Sequence, residues 1–263
     1  MIAFILTELQ RCWSRRAVRL FGLLALAGIV LAAVLVWFNS GKPQNACPDS
    51  SCFKLVNLQG IFEGTTVPLI ILGIALAASF MGAEWGAGTM TTLLTWEPRR
   101  VRVYVAKLIA TVIFTFVAAV LLQTVLGLAL LPSAVVHGST AGADGGWFLS
   151  TAGTVARGAV IAAFGAAMGL AMGTLARNTT AAVIVTFVYL FVLENLVRGL
   201  RPQWVGWLFG DNAGIFIVGH RMSTGASGSG LSHGPGIALL IIAAYAGVLS
   251  ALALGLFLRR DVT

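Results

Sequence analysis

Charged side chains are scarce in this chain. Asp, Glu, Lys and Arg together make up 10% of its 263 residues, whereas 58% are hydrophobic and the mean hydropathy is +0.93. Soluble domains usually carry about 25% charged residues. The shortage excludes a soluble domain of this size and indicates an integral membrane protein.

The motif of P-loop nucleotide hydrolysis is also missing. The sequence contains three lysines, Lys42, Lys54 and Lys107, and none stands in a G-x-x-x-x-G-K-[ST] pattern. The chain therefore cannot hydrolyse ATP through a P-loop. If it moves a solute against a gradient, the energy must come from an ion gradient or from a partner chain.

Candidate catalytic and metal-binding residues are few. The three histidines, His137, His220 and His233, fall in predicted outer loops without an H-E-x-x-H or Cys/His cluster, so no metal site is predicted. One G-x-S-x-G match, "GLSHG" at 230–234, lies in a Gly/Ser-rich linker. A nucleophile elbow requires a strand, a turn and a helix at this place, so an enzyme is not predicted.

Strand-like alternation of polar and apolar residues is absent, which favours helices over a membrane β-barrel. A bilayer core of about 30 Å needs roughly 20 apolar residues for each helical crossing. We therefore predict an all-α polytopic membrane protein that forms a single transmembrane domain over residues 1–263. Its six predicted transmembrane helices are residues 20–38, 65–83, 108–131, 158–176, 179–200 and 236–258.

Basic residues outnumber acidic ones by 17 to 9. The excess could indicate nucleic-acid binding, but in a membrane protein it more often marks loops that stay in the cytoplasm. With the N-terminus inside, 11 of the 17 basic residues lie on the cytoplasmic side. Both termini are then cytoplasmic, and no nucleic-acid partner is predicted. A signal peptide is the competing interpretation of residues 20–38, but this run is longer than an h-region and no A-x-A site follows it.

The first 16 residues have the pattern of an amphipathic helix, because Ile2, Ile5, Leu6, Leu9 and Trp13 recur at helical spacing. Such a helix lies in the headgroup plane with its arginines toward anionic lipid. A cytoplasmic extension of the first transmembrane helix is the alternative.

Two cysteines lie close together in the first outer loop. Cys47 and Cys52 can form a disulfide in an oxidising compartment, or remain free thiols, because spacing alone does not fix the distance between their Cα atoms.

Two features of the later helices bear on packing and transport. Gly165, Gly169 and Gly173 repeat at every fourth position, which permits close helix packing within the subunit or between subunits. Glu194 and Arg198 are four residues apart and can form an ion pair on one helix face, or else take part in proton relay. Residues 201–234 are predicted to form short outer half-helices and a flexible linker.

A short amphipathic helix is predicted between the second and third transmembrane helices. It covers Glu84 to Trp96, with Glu84 in its first turn, where a carboxylate complements the helix dipole. Pro98 ends the helix, and Arg99 and Arg100 hold the returning chain at the membrane interface. A cytoplasmic helix fixed between two transmembrane helices suits docking into a groove of another protein.

This region carries a family resemblance. The segment "GAEWGAGTMTTLLTWEPRRVRVYVAK" at 82–107 resembles the signature region of permease subunits of type-2 ABC exporters, in which a Glu, a Gly-Thr step, a Leu-Leu pair, a Pro-Arg turn and a Lys occur in this order. The interfacial helix, six transmembrane helices and outer half-helices resemble the same family along the whole chain. The matching residues are Glu84, Gly88, Thr89, Leu93, Leu94, Pro98, Arg99 and Lys107.

Trp96 and Glu97 depart from the family pattern, in which a small or polar residue is more usual before the proline. The docking contact is therefore expected to be particular to the partner of this protein.

The resemblance implies an exporter in a bacterial plasma membrane, built from two six-helix permeases, identical or homologous, and two cytoplasmic ATPase subunits. Residues 84–100 would be the coupling helix, and ATP and Mg would bind to the partner, with no cofactor on this chain. The first, second and fifth transmembrane helices would face a cavity whose apolar wall suits a hydrophobic or amphipathic solute, such as a drug, antibiotic, lipid or peptide. An ion-coupled carrier and a non-transporting membrane subunit are the alternatives.

Overall fold

A computed structural model describes residues 2–40, 53–96, 99–220 and 233–259. Within these ranges the regular secondary structure is helical, apart from one isolated β-bridge between Lys54 and Ser139. Six of the helices are long and apolar enough to cross a membrane. The predicted all-α fold with six membrane-spanning helices is therefore confirmed.

The membrane-spanning helices are joined by short elements. The first three are α2 (Arg16–Asn39), α3 (Leu58–Gly86) and α5 (Arg100–Val136), and the fourth is α6 (Gly145–Ala176). The fifth consists of α7 (Thr179–Phe187), a π-helical segment (Val188–Leu193) and α8 (Glu194–Leu200), and the sixth is α10 (Pro235–Arg259). The shorter helices are α1 (Ile2–Ser14), α4 (Thr89–Trp96), α9 (Phe209–Val218) and two 3-10 segments, Leu55–Asn57 and Pro202–Trp207.

Helix α6 lies at the centre of the bundle, where it packs against α3, α5 and α10. In the most apolar 18-residue stretch of α6, 72% of the residues are buried. In the corresponding stretch of α2, no residue is buried. The glycine stripe explains the close approach to α3. A Cβ at Gly173 would lie 2.8 Å from the Ala78 carbonyl oxygen, and one at Gly169 would overlap the backbone of Ile74. Small residues allow this backbone contact, so in the described structure the stripe packs within the subunit.

The helices extend beyond the apolar stretches seen in the sequence. Helix α3 begins at Leu58, although its predicted apolar stretch starts at residue 65, and α6 begins at Gly145 instead of residue 158. The start of α6 is fixed by a polar cap, because the Asp144 carboxylate accepts a hydrogen bond from the Trp147 amide at 2.7 Å. Hydropathy marks only the apolar part of a helix, so it misses turns that caps stabilise.

The two ends of the bundle contain different short helices and connections. The α4 end contains α1, α4 and the turn between α6 and α7, and the α9 end contains α9 and the loop between α5 and α6. The turn between α6 and α7 is tight. Arg177 adopts a left-handed conformation, and the Asn178 side chain accepts hydrogen bonds from the Thr180 and Ala181 amides.

Candidate functional site

The segment between α3 and α5 differs from its prediction at one end. Helix α3 continues to Gly86, so Glu84 lies in the last turn of α3 and not in the first turn of a short helix. Gly88 has a φ of 67°, which breaks the helix, and α4 begins at Thr89. The expected role of Glu84 at a helix N-terminus is therefore wrong. Its carboxylate instead enters a cluster of charges.

We define the charged cluster as Glu8, Arg11, Arg15, Glu84 and Lys107. Its centre is Lys107 on α5, whose Nζ lies 2.9 Å from Glu8 Oε2 and 2.9 Å from Glu84 Oε2. The lysine side chain is only 3% exposed. One ammonium group thus joins α1 to α3 and both of them to α5.

Arg15 reinforces the contact between α1 and α3. Its Nη2 lies 2.7 Å from Glu84 Oε1, and the guanidinium also donates to the carbonyl oxygens of Ser79 and Phe80 at 3.3 Å. The same group lies 4.9 Å from the centre of the Phe80 ring. These carbonyls lie within about two turns of the end of α3 at Gly86, so Arg15 binds the side of that helix as well as Glu84.

The cluster contains three cations and two carboxylates. Arg11 completes it, with Nη1 3.0 Å from Glu8 Oε1. Glu8 and Arg11 stand on one face of α1 because they are three residues apart, and Arg15 follows α1 with an extended backbone before α2 begins. A buried ion is costly unless it is paired, so the cluster keeps α1 docked on the ends of α3 and α5.

Cys12 lies beside the charged cluster and is buried. Burial raises the pKa of the Cys12 thiol to about 12, against an opposing effect of Arg15. The thiol is therefore protonated and unreactive at neutral pH.

A second group of contacts at the α4 end joins α3 and α5 to α10 and α7. The Trp85 ring lies 6.1 Å from that of Phe257 on α10, and the Arg177 guanidinium lies 4.5 Å from the Trp85 ring. Arg100, at the start of α5, donates to the Phe257 carbonyl oxygen at 3.2 Å. A Cβ at Gly82 would lie 2.5 Å from the Thr179 amide nitrogen, so α3 also touches the start of α7.

The α9 end has a smaller polar site around Glu194. This carboxylate is 2% exposed and accepts a hydrogen bond from the Gly210 amide at 3.1 Å from Oε2. Arg198 Nη2 lies 3.7 Å from Glu194, while Arg198 Nε lies 3.0 Å from Asp211 Oδ2. The structure therefore places the Glu194 and Arg198 side chains against the first turn of α9. Asn212, the next residue of α9, has its Oδ1 2.7 Å from His233 Nε2.

Several predicted site residues lie outside the described part of the chain. This holds for Cys47, Cys52, Glu97 and Pro98, and for the side chains of Leu93, Leu94 and Trp96. Arg99 is exposed just before α5. Among the described residues no group of three or more His, Cys, Asp or Glu side chains could hold a metal ion.

Sequence reasoning missed the parts of the charged cluster that come from α1. Glu8, Arg11 and Arg15 are 69 or more residues away from Glu84, and nothing in their local pattern indicates which helix they contact. The three-residue spacing of Glu8 and Arg11 on a helix is the one local signal, and it indicates a shared face without a partner helix. Gly210 and Asp211 were missed in the same way, because only the fold brings them to Glu194.

The fold and these two polar sites define a helical protein that has six helices long and apolar enough to cross a membrane, with α1 fixed to the ends of the second and third of them. The family described as "Protein of unknown function (DUF2705)" matches residues 48–263, and the chain belongs to this family. No curated protein matches the chain. Membership of this family assigns no activity to the chain.

Proposed function

We propose that this chain is the membrane-spanning permease subunit of an ATP-driven exporter, and that a separate ATPase subunit docks on α4. The observation that carries the proposal is the position of the charged cluster. Glu84 and Lys107 lie at the two ends of the segment that contains α4, and their side chains form an ion pair.

This arrangement suits the transmission of force. Helix α4 is connected to α3 through Ala87 and Gly88 alone, and Thr89 Oγ1 donates to the Glu84 carbonyl oxygen at 3.2 Å. The ion pair between Glu84 and Lys107 joins α3 to α5 directly beside α4. A push on α4 would therefore move both helices together instead of bending the connection.

Contacts at the α4 end would spread that movement. Trp85 and Arg100 contact α10, Gly82 contacts α7, and Arg15 connects α1 to α3. On α3 and α5, the residues that make these contacts lie within about two helical turns of α4 along the chain. Tilting α3 and α5 would thus displace the neighbouring helices and change the access to an apolar cavity.

The distribution of basic residues supports a cytoplasmic α4 end. Under the predicted topology 11 of the 17 basic residues lie there, which is the bias expected for cytoplasmic segments. Both termini would then be cytoplasmic, in the plasma membrane of a bacterium. ATP and Mg would bind to the ATPase, and a second permease copy or a homologue would complete the transporter.

The solute is expected to be hydrophobic or amphipathic. A cavity of about 490 Å³ lies between α6, the fifth membrane-spanning helix and α10, so of the first, second and fifth helices expected to face the solute only the fifth lines it. Its walls include Met168, Met172, Val185, Tyr189 and Tyr245. Apolar walls with a few polar atoms select apolar solutes. Methionine side chains adapt to different shapes, which suits a broad substrate range.

Co-purification tests the docking site. Thr92 is exposed on α4 and Thr140 is exposed at the α9 end, so Thr92→Arg and Thr140→Arg make the same change on the two ends of the molecule. Wild type and Thr140→Arg, isolated from native membranes, should retain a P-loop ATPase, whereas Thr92→Arg should lose it. If wild type brings no ATPase, or both variants retain it equally, the proposal is wrong.

Energy dependence separates this function from an ion-coupled carrier. Export of an apolar dye from cells should stop on ATP depletion and continue when the proton and sodium gradients are collapsed. A carrier would give the reverse result, and a non-transporting subunit would show neither dependence.

A further inference from the structure

A groove opens between α2 and the adjoining faces of α3 and α5. Its volume is about 450 Å³, and its walls include Gly22 on α2, Leu69 on α3 and Val125 on α5. Within the described structure, α2 contacts its neighbours much less than the other membrane-spanning helices do, since none of its most apolar 18 residues is buried. The groove is therefore open to the lipid phase along one side.

The groove is about as long as one acyl chain of a phospholipid. On α5 its wall extends from Phe114 to Val125. At 1.5 Å of rise per residue this is about 16 Å, and half of the roughly 30 Å hydrocarbon core is about 15 Å. A single acyl chain of one leaflet thus has the right length to fill it.

The groove has a positive charge at one end. Arg19 lines it there together with Trp13, whose ring lies 6.5 Å from that of Phe114. The opposite end, near Leu26 and Val125, is apolar. Tryptophan prefers headgroup depth, which places this end of the groove at the membrane surface.

Among the described residues, no carboxylate neutralises the charge of Arg19. In the described ranges no carboxylate lies within 4.0 Å of Arg19 or Arg16, whereas Arg11, Arg15 and Lys107 all have carboxylate partners. Arg19 Nη2 donates to the Ser14 carbonyl oxygen at 3.4 Å, which is a long hydrogen bond. The guanidinium keeps donors available, and its planar fork matches the oxygens of a phosphate.

We propose that the groove is a binding site for an anionic phospholipid of the leaflet at the α4 end. One acyl chain lies between α2, α3 and α5, and the phosphate pairs with Arg19. Zwitterionic lipid fits the apolar part equally well, but its zero net charge offers less to an arginine that lacks a carboxylate partner in the described part of the chain. The site is independent of the ATPase-docking function proposed above.

Native mass spectrometry of the full chain tests this site. The protein is reconstituted in vesicles with equal amounts of phosphatidylglycerol and phosphatidylcholine, extracted in mild detergent and stripped stepwise. Wild type should keep one phosphatidylglycerol after other lipids have left. Arg19→Gln should reduce this preference by about tenfold or more, the effect of losing one charge-assisted hydrogen bond.

Matched variants separate the groove from the general lipid surface. A Cβ at Gly22 or at Gly28 meets no other atom within 4 Å, but only Gly22 lines the groove. Gly22→Leu should therefore displace the retained lipid and Gly28→Leu should not. Arg201→Gln, an exposed arginine beyond α8, is the control for loss of charge.

Three results would overturn the site. Equal retention in all variants would show non-selective surface lipid. Equal retention of phosphatidylcholine and phosphatidylglycerol would show that Arg19 does not select an anionic headgroup. A third contradicting result is a dimer that retains no lipid and that dissociates in Gly22→Leu but not in Gly28→Leu. It would show that a second copy of the chain covers the groove. If Gly22→Leu does not fold, Arg19→Gln against Arg201→Gln decides alone.

Discussion

At the scale of single residues, Lys107 is the most constrained charge of the α4 end. Its ammonium group is buried between two carboxylates that come from different helices. Replacing it by a neutral side chain removes one charge and leaves Glu8 and Glu84 close together without the cation between them. The stability of the protein should depend on this one side chain.

We therefore expect Lys107→Met to lower the free energy of unfolding by about 3–5 kcal/mol, the usual result of breaking a buried ion pair. Thermal unfolding in detergent measures the change as a lower melting temperature. Arg16→Met is the control, because Arg16 is exposed and has no ion-pair partner in the described structure. Its effect should stay within about 0.5 kcal/mol. Equal shifts in the two variants would contradict the structural role of Lys107.

Cys12, which lies beside the charged cluster, makes the stability of the protein depend on pH. Burial raises its pKa from 9.0 to about 12, so the folded protein holds the thiol proton in a range where the unfolded chain releases it. The contribution to stability is complete below pH 9 and is lost as the pH rises toward 12.

In a Cys47→Ser and Cys52→Ser background, maleimide labelling of Cys12 at pH 8 should be roughly a hundredfold or more slower in the folded than in the denatured protein. Adding Lys107→Met should accelerate labelling, because α1 is then less firmly docked. Mass spectrometry against time gives both rates. Labelling of the folded protein at the denatured rate would show that Cys12 is not buried.

The sequence identified some of these residues but not their contacts. Glu84 and Lys107 belong to one recognisable segment, 23 residues apart, and both were singled out. Their partners on α1 could not be predicted, because a spacing within one helix says nothing about the helix on which it docks. Glu84 was also placed in the wrong helix, because the apolar stretch at 65–83 ends just before it, whereas α3 continues to Gly86 and the chain breaks at Gly88.

At the scale of helices, the approach of α6 to α3 depends on side-chain size. The glycine stripe was visible in the sequence, but its partner helix was not. A Cβ at Gly169 would overlap the carbonyl oxygen and Cα of Ile74, whereas a Cβ at Gly153 on the same helix meets nothing within 4 Å. The same substitution at these two positions should therefore have opposite effects.

We expect Gly169→Ala to destabilise the protein by about 1–3 kcal/mol through overpacking. Gly153→Ala should be neutral or should stabilise by up to about 1 kcal/mol, because alanine favours the helix. The two melting temperatures, measured in the same detergent, make the comparison. A loss of stability in both would mean that helix packing is not the reason for Gly169.

The position of α9 depends on a buried carboxylate. Glu194 accepts from the Gly210 amide in the first turn of α9, where negative charge complements the helix dipole. A hydrogen bond to a charged group contributes about 1.5–3 kcal/mol. Its loss should allow the first turn of α9 to open more often.

Glu194→Gln should thus accelerate hydrogen exchange in residues 209–218 by about tenfold to a hundredfold, as 1.4 kcal/mol corresponds to a factor of ten. Glu63→Gln makes the same chemical change on α3, where no ion pair of Glu63 is described, and should leave exchange in this segment unchanged. Unchanged exchange in Glu194→Gln as well would show that this carboxylate does not hold α9.

At the scale of the whole molecule, the two ends of the bundle are held together by different contacts. The α4 end joins α1, α3, α5, α7 and α10 through ion pairs, aromatic contacts and one close backbone approach. At the α9 end, a short helix is held on the fifth membrane-spanning helix by the Glu194 site. Hydropathy predicts the number of crossings because each needs its own apolar length. It cannot predict the connections between helices, because these depend on a few polar residues distant in sequence.

The orientation of these ends in the membrane gives the last prediction. Most basic residues lie at the α4 end, and such residues are retained in the cytoplasm. Ala87 beside α4 and Ala141 in the loop between α5 and α6 are both exposed. In a chain without its native cysteines, a membrane-impermeant maleimide added to intact cells should label Ala141→Cys and not Ala87→Cys. After the membrane is permeabilised both should react. Labelling of Ala87→Cys in intact cells would place the α4 end outside, where no cytoplasmic ATPase could reach it.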